Sequence, residues 1–166
     1  GHALATLMLS EVWGQTRRQD VGKVLRNAVQ LILQVQGPAG GWGYHPIPKD
    51  GDTSVCVMQM FALKSASEAG IRVPGAVITK ALDLVKERLN ETNNMFGYYH
   101  TGDAHLGHWG SSAAGTCIMQ ICDEKDPRYV REPRLKLTEL MKTNKSNKFL
   151  FYFAYYGSVA CYYAGG

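Results

Sequence analysis

Two stretches of the chain hold side chains whose types and spacing could do chemistry. The first is Asp50-Gly51-Asp52-Thr53-Ser54, two carboxylates and two hydroxyls just ahead of an apolar run. Carboxylates so placed can exchange a proton with a substrate. They also suit a helix start, where Asp52 would be an N-cap and Asp50 would meet the helix dipole. The second stretch holds His100, Asp103, His105 and His108. Its spacing is that of neither a zinc finger nor a zincin helix, so hydrogen-bonded loop histidines are expected. A metal site on His100, His105 and His108 is the alternative. No Gly-rich phosphate loop or Gly-x-Ser-x-Gly elbow occurs, and no cofactor is expected.

Composition narrows the classes further. The 166 residues are 45% hydrophobic, enough to build one domain with a sizeable core and too much for a disordered tail. Lys and Arg number 18 against 14 Asp and Glu, and the basic residues are scattered, so no nucleic-acid partner is expected. The cysteines Cys56, Cys117, Cys122 and Cys161 form no Cys-x-x-Cys pair, and each sits in an apolar, helix-like stretch where a small buried group is expected. The start at Gly1-His2 lacks a methionine, so the native start is expected elsewhere and the compartment is left open.

Helical periodicity must position these residues. Leu4, Leu7, Met8 and Val12 predict a first helix stopping at Gly14. Leu25, Ala28, Val29, Ile32 and Val35 predict a second, ending before Gly37-Pro38. After a Gly/Pro-rich loop over 37–52, a third runs to Gly70 and is apolar around much of its surface. Pro74 opens a fourth, residues 113–121 carry a fifth, and Leu137, Leu140 and Met141 mark a sixth. The seventh begins near Asn147. No strand pattern is visible. The uncharged run over 149–166 is barely long enough to span a bilayer, but its tyrosines and Gly157-Ser158 predict a buried aromatic helix instead. Membrane contact is left open.

Wetter helices alternate with drier ones, and the alternation is a repeat. Gly43-Tyr44 recurs as Gly97-Tyr98, 54 residues on, each pair following an aromatic residue. Ser54 and Ser112, 58 apart, then open the next dry helices. Hairpins near 18–70, 75–123 and 132–164 follow, each burying its dry helix against its neighbours.

The run over 28–43, AVQLILQVQGPAGGWG, resembles the QW repeat of squalene-hopene cyclases, with Gln36, Gly40, Gly41 and Trp42 as its structural motif. Continued through 74, it is similar to the prenyltransferase/squalene-oxidase repeat of bacterial proteins. That resemblance implies an all-α fold, an α/α toroid whose dry helices surround an apolar cavity. About seven helices make only an arc of such a ring, so a single incomplete toroid domain over 1–166, cut from a longer chain, is expected. In this reading Trp42 plugs helix ends and the Gln36 amide bonds loop backbone.

The resemblance also implies chemistry. Asp50-Gly51-Asp52-Thr53 is similar to the acid motif of class II terpene cyclases, in which a neutral carboxyl in a dry pocket protonates an alkene or epoxide. Trp109, Tyr152, Tyr155 and Tyr156 would then form an aromatic wall for a carbocation. Aligned on Asp52-Thr53, the match departs at Gly51, which stands where the proton donor would be; aligned with Asp50 and Asp52 as its first two acids, it lacks the third. The zinc motif of prenyltransferase β subunits is absent, since Ser54 stands where its cysteine would be. The expected function is therefore a non-catalytic scaffold for an apolar or isoprenoid ligand or for a partner, with self-association or further toroid hairpins covering its apolar faces. A cyclase-like enzyme part using Asp50 or Asp52 as the acid is the alternative.

Overall fold

The computed structural model describes residues 1–99, 109–143 and 149–164. Among them the fold is all-α, in seven helices: α1 (His2–Thr16), α2 (Gln19–Gln34), α3 (Thr53–Glu68), α4 (Gly75–Lys86), α5 (Trp109–Ile121), α6 (Arg131–Lys142) and α7 (Leu150–Tyr163). No helix among the described residues is long and apolar enough to cross a membrane. The chain divides into two compact units, Gly1–Leu84 and Val85–Gly166.

In the first unit α1 packs against both α2 and α3. Amphipathic α2 buries Leu25, Val29 and Ile32, one stripe at helical spacing. α3 buries Cys56, Val57, Met60, Ala62, Leu63 and Ala66, which lie on more than one side of the helix. α1 does not stop at Gly14. It continues to Thr16 and ends on Arg17, whose backbone is left-handed (φ 52°) and whose N–H donates to Trp13 O at 3.0 Å. An Arg there is strained relative to Gly, but its guanidinium donates to Ala69 O at 2.6 Å, joining the C-terminal ends of α1 and α3.

In the second unit α5 packs against α6 and α7. Ten consecutive residues of α5, Gly110 to Met119, are buried, and the run from Gly110 to Cys117 is built of small side chains. Ahead of α5 the chain makes a structure the sequence did not suggest. β1 (Leu89–Asn90) pairs antiparallel with β2 (Met95–Phe96), Leu89 opposite Phe96. Two residues per strand are too few to show alternation. Side chains set the turn instead: Asn90 Oδ1 accepts from Thr92 N at 3.0 Å, and Asn93 Oδ1 from Met95 N at 3.1 Å.

Candidate functional site

The loop between α2 and α3 carries the first chemical cluster and is tied both to itself and to the helices around it. Its aromatic anchor, Trp42, is fully buried and donates its indole N–H to Ile32 O at 2.8 Å, against the last turn of α2. Gln36 spreads its amide over two carbonyls, Gly40 O and Val77 O, both at 2.9 Å. Gly40 has φ 109°, a conformation natural to glycine, and a Cβ there would lie 2.5 Å from Lys80 O.

Asp50 closes the loop. One carboxylate oxygen accepts from Ala39 N at 2.9 Å and the other from Gly41 N at 2.8 Å. Both oxygens thus hold backbone donors across the base of the exposed segment 44–49. The sequence pointed Asp50 at the dipole of the next helix; the structure turns it to the loop amides. Gly51 follows where a side chain would not fit, since a Cβ on it would lie 2.1 Å from Trp42 O.

Asp52 is the N-cap of α3. Its Oδ1 accepts from Val55 N at 3.0 Å and also from the Ser54 hydroxyl. The residue is fully buried, and its second oxygen, Oδ2, has no hydrogen-bond partner. A buried carboxylate oxygen without a donor is costly and rare. Cys56, one turn further on, receives the Trp42 N–H on its sulfur at 3.4 Å.

The second unit repeats this last arrangement with a hydroxyl in place of the thiol. Phe96, fully buried like Trp42 and 54 residues after it, donates its N–H to Ser112 Oγ at 2.9 Å. Ser112 donates in turn to Phe96 O at 3.3 Å. Ser112 is therefore the counterpart of Cys56, and the spacing that paired it with Ser54 is corrected by two residues. The polar residue lies 14 positions after Trp42 but 16 after Phe96, and this difference in loop length hid the match.

The aromatic candidates gather on α5 and α7. Trp109 lies 5.5 Å from Phe153 between ring centroids, Tyr152 4.6 Å from Tyr156, and Tyr155 5.0 Å from Tyr156. Tyr156 is buried and Tyr155 exposed, so the three tyrosines do not present one uniform wall. Burial pushes the Tyr156 hydroxyl up to about 12 and the Cys117 thiol likewise to about 12. These residues belong to the second unit, whereas Asp50 and Asp52 belong to the first. The histidine cluster, His100, His105 and His108, lies outside the described residues. Among those described, no group of three or more His, Cys, Asp or Glu could hold a metal ion.

No family model, no curated protein and no solved structure matches the chain.

Proposed function

We propose that this chain is a helical-repeat module of the squalene-cyclase/prenyltransferase kind, an arc of an α/α toroid, serving as a non-catalytic scaffold for an apolar partner or an isoprenoid-like ligand. The observation that carries this reading is the use of Asp50. Both its oxygens are occupied by loop amides, so the acid that opens the cyclase-like motif is a structural clasp. The loop chemistry then goes into holding Trp42, and binding falls to helix faces.

Those faces are apolar and open. Leu4, Met8 and Val12 form an exposed stripe on α1, while Phe151, Tyr155 and Tyr162 are exposed on α7, a helix with no charged residue. Sedimentation over a range of concentrations tests the reading. Reversible self-association, weakened by Phe151→Ser and by Met8→Ser, is expected. A species that stays monomeric throughout and takes up no polyprene contradicts it.

One observation favours a second reading. Asp52 Oδ2 is buried and unpartnered, and a water-shielded carboxyl oxygen is what protonation of an alkene requires. In that reading the chain is a cyclase-like enzyme part and Asp52 is its acid. Conversion of squalene to an isomer of equal mass, lost in Asp52→Asn, would establish it over the scaffold.

A further inference from the structure

The first unit carries a cleft that takes no part in the loop. It has a volume of about 230 Å³ and lies between the C-terminal halves of α1 and α3. Small residues open it: Gly14 on one side, Ser65 and Ala69 on the other. Three charged residues line it as well, namely Glu11, Arg17 and Glu68.

The charges are held apart. Arg17 is fixed by its left-handed backbone, by the bond from its guanidinium to Ala69 O at 2.6 Å, and by stacking 5.5 Å over the Trp13 ring. It pairs with neither carboxylate of its own cleft. Glu11 instead accepts from Ser65 Oγ at 2.7 Å, and Glu68 lies 3.9 Å from Lys64. An exposed arginine ordinarily loses side-chain freedom when it grips an anion. This one is already ordered, and Glu11 and Glu68 line the same cleft.

We propose that the cleft binds a small zwitterion of the amino-acid class, its carboxylate on Arg17 and its ammonium on Glu11 and Glu68. Charge-assisted hydrogen bonds at both ends of the ligand would supply affinity and orientation. At about 230 Å³ the cleft is smaller than the roughly 300 Å³ at which pockets for drug-sized molecules begin, so it suits a molecule of small amino-acid size.

Amide NMR titration of the isotope-labelled full chain tests this, with glycine, β-alanine and γ-aminobutyrate as probes. Putrescine and succinate are the single-sign controls. At least one amino acid should give saturable shifts at Gly14, Ser65 and Ala69, and the controls should bind about tenfold more weakly or worse. Arg17→Gly keeps the left-handed backbone and removes the guanidinium, while Glu68→Gln removes one exposed carboxylate. Each should weaken binding about tenfold. Absence of saturable shifts with all three amino acids overturns the proposal. So does putrescine binding as tightly as they do, or binding unchanged in both variants.

Discussion

Ser112 clasps Phe96 from both sides, accepting from its backbone N–H at 2.9 Å and donating to its carbonyl at 3.3 Å. In the first unit Cys56 holds Trp42 in the same manner, the Trp42 N–H meeting its sulfur at 3.4 Å. In each case a polar atom one turn into a dry helix fixes the aromatic residue of the preceding loop. The clasp occurs once in each unit.

If the clasp is shared, its two polar residues should be exchangeable. Cys56→Ser should leave stability within about 1 kcal/mol of the parent, because a hydroxyl already does this work in the second unit. Ser112→Ala leaves the buried Phe96 N–H without an acceptor and should cost about 1–3 kcal/mol. Urea unfolding of both variants checks the contrast.

Glycine substitutions should divide by position. Gly51→Ala forces a Cβ against Trp42 O and should destabilise the chain by about 3 kcal/mol or more, beyond the usual range for overpacking. Gly75→Ala, at the start of α4, meets nothing within 4 Å and should stabilise by about 0.5–1 kcal/mol. Thermal unfolding midpoints on either side of the parent would show it.

Stability should fall at alkaline pH. Burial raises Cys117 from 9.0 to about 12 and Tyr156 from 10.0 to about 12, so the folded state favours their neutral forms. A group whose folded value is raised contributes stability that is fully present below its unfolded value. That contribution is lost as pH rises from about 9 towards 12, at up to about 1.4 kcal/mol per pH unit for each group. Cys117→Ala should flatten the decline, measured as unfolding free energy against pH. The acid side has the opposite sign. Glu124 is held below its ordinary 4.5 chiefly by its hydrogen bond with Lys86, so its contribution is present above 4.5 and lost below.

Much of this fold was legible in the residues. The stripe Leu25, Val29, Ile32 marked α2, and the run of small and apolar residues from Ala113 to Ile121 marked a buried helix. Aromatic-Gly-Tyr at Trp42 and again at Phe96 marked the two aromatic residues that the helices clasp. The end of α1 was not legible, because Gly14 is a common stop, whereas Arg17 ends the helix through a contact with Ala69, 52 residues away. The role of Asp50 was hidden for the same kind of reason. Its partners lie nine and eleven residues back, across a loop whose folding no local pattern specifies. Asp52 was different, since capping depends on its immediate neighbours, and the bond to Val55 N is local.

The use of Asp50 is the claim on which the scaffold reading rests, and the unfolding free energy of Asp50→Ala tests it most directly. Two hydrogen bonds to a charged acceptor, each contributing about 1.5–3 kcal/mol, are removed with both loop amides left behind. A loss of about 2–4 kcal/mol is expected, allowing for water reaching the half-buried site. Unfolding within about 0.5 kcal/mol of the parent would contradict the account and return Asp50 to the candidates for chemistry.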